Sequence, residues 1–142
     1  MINYFVMASS MKVQVRQVSA SATEVTMGKH QVIIDRPAAK GGTDLGPMAG
    51  ELFLAAAGGC FMSNLLAAIK ARGADVSGVQ TEVIGTLAES PVRFTELELR
   101  VTAENVDREL LGKLVEIAER ACIIMNTLRG TLELTIRTAA PV

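Results

Sequence analysis

The stretch GELFLAAAGGCFMSNLLAAIKARG, residues 50–73, constrains the fold more than any other part of this 142-residue chain. Residues 52–69 run for 18 positions without a charged side chain, which predicts a helix that is apolar on all sides. Such a helix lies in the middle of a molecule or at an interface between subunits. The length is also at the lower limit for a membrane span. Because Ser63 and Asn64 interrupt the run and the rest of the chain is amphipathic, we expect a helix buried in protein and no membrane partner.

Two glycines, Gly58 and Gly59, stand directly before Cys60 in this predicted helix. Each glycine in a helix interior is less favourable than alanine by about 1 kcal/mol. We interpret the pair as removing side chains from the turn before Cys60, so that another molecule can approach the sulfur closely. The alternative is that Cys60 and Cys122, the two cysteines of the chain, are small apolar core residues, because free cysteine is among the most buried residue types.

Alternating polar and apolar residues predict strands at 12–19, 24–35, 79–87, 93–101 and 132–137. Residues 24–35 contain a turn near Gly28 and therefore form two short strands, and the turn at 89–91 makes a hairpin of the next two. A second, amphipathic helix is predicted from about Asp107 to Arg120, with Asn105 as its N-cap. Its apolar stripe comprises Leu111, Val115, Ala118 and Cys122. This order of elements predicts an α+β fold with antiparallel sheets, a central apolar cysteine-bearing helix and a second amphipathic helix.

The length of the chain suits one domain, which we place at residues 12–142 behind a loose N-terminal extension at 1–11. The extension lacks the basic start and long apolar core of a signal peptide, so we expect a cytoplasmic protein. With 14 basic and 15 acidic residues and no basic cluster, nucleic acid is not an expected partner. His30, the single histidine, is interpreted as an ordinary strand residue, and no metal site is expected.

A glycine-rich loop, residues 36–50, joins the predicted third strand to the first helix. Arg36 and Glu51 flank this loop at its two ends. A guanidinium beside a thiol favours the thiolate, which is the reactive form of cysteine. Arg36 and Glu51 are therefore candidates to assist Cys60.

Two segments, GPMAGELFLAAAGGCF and ERACIIMNTLRG, carry the two cysteines 62 residues apart and resemble the OsmC/Ohr family of peroxide-resistance proteins. The hairpin sequence PVRFTELELRV and the loop sequence GGTDLGP fit the same family. The resemblance covers residues 12–137.

The resemblance implies an intertwined homodimer in which the cysteine helices are central and the sites lie at the subunit interface. It implies a thiol peroxidase that reduces organic hydroperoxides without a cofactor, with Cys60 attacking the peroxide and Cys122 resolving the product as a disulfide. It further implies an assisting arginine and glutamate, for which Arg36 and Glu51 are our assignments and Arg16 is the alternative arginine. A dithiol such as a protein-bound lipoyl group is the implied reductant.

Two positions differ from the usual pattern of the family. Gly50 stands ten residues before Cys60, where the hydroperoxide reductases have the assisting glutamate, and Ile123 follows Cys122 where proline is usual. These differences indicate an OsmC-like branch of the family. Two other functions therefore stay open, namely binding of a small apolar ligand at the dimer interface and redox sensing through the two cysteines.

Overall fold

The computed structural model of the chain describes residues 9–139, which divide into two compact units between Glu51 and Leu52. Residues 1–8 of the predicted extension lie outside the described residues, and residues 9–11 have no regular secondary structure. The division of the chain into an extension and a single domain stays a prediction.

The first unit contains a three-stranded antiparallel sheet in the order β1-β2-β3, with β1 at Gln14–Gln17, β2 at Thr23–Met27 and β3 at His30–Ile34. The predicted turn is confirmed, because Gly28 joins β2 to β3 with a φ of 59°, a value that favours glycine. His30 is an exposed residue at the start of β3. A short 3-10 helix at Ala38–Lys40, which the sequence pattern did not predict, lies in the loop after β3.

Most of helix α1, Ala49–Ala71, belongs to the second unit, together with α2 at Arg108–Ala121 and α3 at Ile123–Leu128. The sheet of the second unit has the order β4-β5-β6, with β4 at Gln80–Ala88, β5 at Arg93–Thr102 and β6 at Glu133–Thr138. The predicted β4–β5 hairpin is confirmed by antiparallel pairing. The described residues thus form an α+β fold with two small sheets and three α-helices.

The prediction that every strand pairs antiparallel is wrong for β6, which runs parallel to β5. The physical reason is the connection between the two strands. A parallel pair needs a crossover segment that brings the chain back to the same end of the sheet, and α2 and α3 supply that segment here. Residue alternation in β6 is the same for either direction, so the sequence pattern did not reveal it.

The predicted N-cap of α2 is also wrong, since the cap is Asp107 and not Asn105. The Asp107 carboxylate accepts a hydrogen bond from the backbone N–H of Leu110 at 3.3 Å, which satisfies one of the free donors at the helix start. Asn105 instead forms an isolated β-bridge with Ser77. The apolar stripe of α2 is confirmed, because Leu111, Val115 and Ala118 are all buried.

The core of the second unit is one cluster to which all three helices and β5 contribute. From α1 it takes a single stripe with helical spacing, namely Ala57, Phe61, Leu65 and Ala68. By length and composition α1 is apolar enough to cross a membrane, yet only 33% of its most apolar window is buried within the chain. Leu66, on another face of the helix, is 52% exposed. One stripe of this helix is therefore a core element, and other faces stay uncovered in the single chain.

Gly58 lets α1 approach β4 closely, which we expect to make Gly58→Ala destabilising. A Cβ atom at Gly58 would lie 2.7 Å from Cγ2 of Val83, a stiff β-branched side chain. Overpacking of this kind costs about 1–3 kcal/mol, and the better helix propensity of alanine returns about 1 kcal/mol. We therefore expect urea unfolding to show a net loss of about 1 kcal/mol.

Gly112, in α2, provides the matched control, because a Cβ there would meet nothing within 4 Å. Gly112→Ala is expected to gain up to about 1 kcal/mol from helix propensity alone. Equal stability changes in the two variants would contradict a packing role for Gly58.

Candidate functional site

The sulfur atoms of Cys60 and Cys122 lie 2.9 Å apart in the second unit, although 62 residues separate them in the sequence. Both cysteines are free thiols. A disulfide bond has an S–S length of about 2.05 Å, so once an oxidant removes two electrons from the pair, a small movement of either side chain brings the sulfurs to bonding distance. The structure thus brings together the two cysteines that the sequence singled out.

The two thiols differ in their surroundings. Cys60 is half-buried in the middle of α1, whereas Cys122 is fully buried and belongs to the core cluster. Burial, together with the hydrogen bond to the Cys60 sulfur, raises the pKa of the Cys122 thiol above its ordinary value. Cys122 is therefore a protonated thiol at neutral pH, and Cys60 is the more exposed of the two cysteines.

Cys122 lies between two helices rather than on the stripe of one. It is the C-cap of α2 and the N-cap of α3, with an extended backbone at φ −78° and ψ 115°. Its N–H donates to the carbonyl of Glu119, and its carbonyl accepts from the N–H of Asn126. This single extended residue ends α2 and starts a separate short helix. The prediction that Cys122 lies on the helical stripe of α2 is therefore wrong, whereas the prediction that it is buried is confirmed.

The raised pKa of Cys122 predicts a loss of stability at alkaline pH. In the unfolded chain this thiol ionises near its ordinary value of 9.0, whereas the folded protein keeps it protonated to higher pH. The folded state then binds more protons, so its stability is fully present below about pH 9 and falls as the pH rises further. Thermal melts in a reducing buffer from about pH 7 to about pH 10 should show a steeper decline in the wild type than in Cys122→Ala. If the stability of the wild type and of Cys122→Ala fell equally with pH, the Cys122 thiol would not be the cause of the decline.

The two glycines before Cys60 have different surroundings. Gly58 is buried against Val83, whereas a Cβ at the exposed Gly59 would meet nothing within 4 Å. Gly59 lies in a groove of about 480 Å³ between α1 and β4. The groove is lined by Ala55, Gly58, Gly59, Met62, Val79, Gln80, Thr81 and Val83. Both glycines line this groove, but Cys60 is not among its lining residues. The interpretation of the glycine pair as an opening toward the Cys60 sulfur therefore stays a prediction.

Asn64 is the polar neighbour of Cys60 that sequence reasoning missed. Its Nδ2 donates to the carbonyl oxygen of Cys60 at 2.9 Å and lies 3.9 Å from the Cys60 sulfur. The four-residue spacing between Cys60 and Asn64 could have indicated this contact, because residues i and i+4 of a helix lie on one face and side chains lean toward the helix N-terminus.

Arg36 is an exposed residue of the first unit, immediately after β3. Its backbone is fixed, because its N–H donates to Asp35 Oδ1 at 2.7 Å and its carbonyl accepts from the N–H of Asp44 at 3.0 Å. Arg36 and Lys40 are among the residues that line a cavity of about 410 Å³ within the same unit. The alternative arginine, Arg16, forms an ion pair with Glu24 on the neighbouring strand at 2.8 Å.

Asp35 was not singled out by sequence reasoning, yet it fixes the loop that carries Arg36. It is the one buried charged residue among those described, at 2% exposure. Its carboxylate accepts hydrogen bonds from the Thr43 hydroxyl at 2.7 Å and from the N–H groups of Thr43 and Leu45, both at 3.2 Å. The Thr43 hydroxyl in particular, helped by backbone donors, holds the pKa of this carboxyl well below its usual range. Asp35 therefore stays ionised and anchors the loop.

Glu51 lies in the first turn of α1, where its Oε1 accepts a hydrogen bond from the N–H of Met48 at 3.0 Å. A glutamate at the third helical position that reaches back to the N-cap backbone forms one half of a capping box. In this arrangement the carboxylate stabilises the start of the helix. Among residues 9–139 no group of three or more His, Cys, Asp or Glu side chains is placed to hold a metal ion.

Comparison with known proteins gives a family match and a set of similar folds. The family model described as OsmC-like protein matches residues 41–137. A comparison with curated protein sequences finds no significant match.

Three of the solved structures that share the fold illustrate its range. An OsmC like protein from Mycoplasma pneumoniae has a TM-score of 0.77 and 16% identity, with 96% of this chain and 100% of that chain covered. An organic hydroperoxide resistance protein from Elizabethkingia anophelis has a TM-score of 0.71 and 22% identity, with 94% and 100% covered. The organic hydroperoxide resistance protein OhrB of Bacillus subtilis has a TM-score of 0.67 and 24% identity, with 92% and 98% covered. Since the family model spans more than half of the sequence, the chain belongs to the OsmC-like protein family.

Proposed function

We propose that this protein is a cysteine-based thiol peroxidase that reduces organic hydroperoxides, with Cys60 as the peroxidatic and Cys122 as the resolving cysteine. The observation that carries the proposal is the 2.9 Å separation between one half-buried and one buried thiol. Family membership supports the class of reaction, because some structures of the same fold are named organic hydroperoxide resistance proteins.

In the first step the Cys60 thiolate attacks the terminal oxygen of the hydroperoxide. The O–O bond breaks, the alkoxide takes a proton and leaves as an alcohol, and Cys60 becomes a sulfenic acid. The sulfur is oxidised by two electrons and the peroxide is reduced by two. This step needs a cysteine that an organic hydroperoxide can reach, and Cys60 is favoured for it because it is half-buried whereas Cys122 is buried.

In the second step the Cys122 sulfur attacks the sulfenic sulfur of Cys60. An S–S bond forms, and the hydroxyl group of the sulfenic acid leaves with the Cys122 proton as water. Because Cys122 is buried and protonated, it is protected from oxidation by the substrate itself. A dithiol reductant, of the lipoyl type in our assignment, returns the pair to two thiols by exchange.

Arg36 and Glu51 are assigned as the assisting residues. A guanidinium near Cys60 stabilises the thiolate, and a carboxylate can hold that guanidinium in place. Arg36 is preferred over Arg16 because the Arg16 guanidinium already has a carboxylate partner in Glu24. The buried Asp35 supports the assignment, since it fixes the backbone of the loop from which the Arg36 side chain projects.

The proposed working form is a cytoplasmic homodimer. It is supported by helix α1, of which only 33% of the most apolar window is buried within one chain. Light scattering at micromolar concentration should give about twice the chain mass of 15.1 kDa, and thermal stability should rise with protein concentration. A stable folded species of 15.1 kDa would contradict the dimer.

A second candidate function is the binding of a small apolar ligand with both cysteines inert. The observation that favours it is the groove beside Gly59, whose lining is mainly apolar. A ligand of this kind and a hydroperoxide with an apolar tail need the same sort of surface, so the cysteines decide between the two functions.

A thiol count before and after one equivalent of cumene hydroperoxide tests the proposal. We expect the number of titratable thiols per chain to fall from two to none, and a dithiol to restore both. An unchanged count with unconsumed peroxide would leave the cysteines as core residues and favour ligand binding.

A further inference from the structure

Asn64 places an amide donor beside the reacting sulfur. Its Nδ2 lies 2.9 Å from the Cys60 carbonyl oxygen and 3.9 Å from the Cys60 sulfur. The amide nitrogen has two N–H groups. The bond to the carbonyl uses one of them and fixes the amide, which leaves the second for the sulfur.

This hydrogen bond to the carbonyl does little for the helix. In an α-helix the carbonyl of residue i already accepts the backbone N–H of residue i+4, which for Cys60 is the N–H of Asn64. Asparagine is also a poorer helix former than leucine or alanine, since its side chain competes for backbone groups. Asn64 is therefore a weak choice for stability and a good one for holding a donor beside Cys60.

We propose that Asn64 donates a hydrogen bond to the Cys60 thiolate and then to the oxygen of the Cys60 sulfenic acid. The inference rests on the proposed peroxidase function and adds a donor that is independent of Arg36. A neutral donor stabilises negative charge on sulfur without attracting a second anion. After oxidation the same amide holds the sulfenic oxygen, so that the sulfur faces Cys122, whose own sulfur is 2.9 Å away before reaction.

The test compares variants in a Cys122→Ser background, in which Cys60 is the single cysteine. Asn64→Leu keeps the branched shape and removes the donors, and Asn64→Asp replaces them with a carboxylate. Ser63→Ala is the matched control, because Ser63 is an exposed neighbour on the same helix. Each protein is tested for alkylation by iodoacetamide across a range of pH and for oxidation by cumene hydroperoxide, after circular dichroism has verified its fold.

Asn64→Leu is expected to slow both reactions by about tenfold at neutral pH, the lower end of the effect of losing one hydrogen bond to a charged group. The loss should shrink as the pH rises, because ionisation then no longer limits the reaction in either protein. Asn64→Asp should slow both reactions more than Asn64→Leu does, since a carboxylate repels a neighbouring thiolate. If Asn64→Leu only disturbed the packing, any slowing of the two reactions would be independent of pH.

Equal rates in Asn64→Leu and Ser63→Ala overturn the inference, even if the wild type is an active peroxidase. A pH-dependent loss of alkylation in Asn64→Leu supports the donor role, even if no protein of the set consumes cumene hydroperoxide. That second outcome would contradict the proposed peroxidase function and would still support a hydrogen bond from Asn64 to the Cys60 thiolate. Should Asn64→Leu fail to fold, Asn64→Ala replaces it with the same expected loss.

Discussion

Replacing Cys60 with serine is expected to abolish the consumption of an organic hydroperoxide. A serine hydroxyl does not ionise near neutral pH without a strong base beside it, whereas a thiol provides the thiolate that attacks the O–O bond. The loss is measured as the disappearance of cumene hydroperoxide with a dithiol present. Residual turnover in Cys60→Ser would show that this cysteine is not the peroxidatic residue.

The matched variant, Cys122→Ser, should fail in a different way. It is expected to consume about one equivalent of hydroperoxide and then stall, because the Cys60 sulfenic acid has no partner thiol. With excess peroxide Cys60 should proceed to a sulfinic acid, which adds a second oxygen. If the buried hydroxyl disturbs folding, Cys122→Ala gives the same chemical test. Oxidation of Cys122 before Cys60 in the wild type would mean that the two roles are reversed.

Substituting Arg36 with methionine is expected to slow alkylation and peroxide oxidation of Cys60 by roughly tenfold, because methionine keeps most of the volume and removes the charge. Arg16→Met is the control, since the Arg16 guanidinium is paired with Glu24 at 2.8 Å. A loss in Arg16→Met alone would assign the role to that arginine. Unchanged rates in both variants would show that neither arginine assists Cys60.

The fold could be predicted from the sequence where a local pattern carries the information. Alternation in residues 93–101 identified β5 and its buried face, on which Leu97, Leu99 and Val101 are at most 1% exposed. The same alternation could not show that β6 pairs parallel to β5, because strand direction depends on the path of the connecting helices. The break at Cys122 was also hidden, since the apolar run around it continues the helical pattern on both sides.

The site was predictable in its cysteines and less so in its supporting residues. The resemblance to the family implied a Cys60–Cys122 pair, and the two sulfurs lie together. Asn64 was noted only as an interruption of an apolar run, because its significance depends on where the amide points. The capping contact of Glu51 was equally hidden, since the N-cap residue, Met48, lacks the oxygen-bearing side chain that usually marks a capping box.

Mass spectrometry of the wild type tests whether Cys60 and Cys122 form a redox pair that a hydroperoxide oxidises. The protein is treated with one equivalent of cumene hydroperoxide, blocked with an alkylating agent and digested. We expect a mass lower by two hydrogens and a peptide in which Cys60 and Cys122 are joined by a disulfide. Two alkylated cysteines with no change in oxidation state would contradict the redox pair.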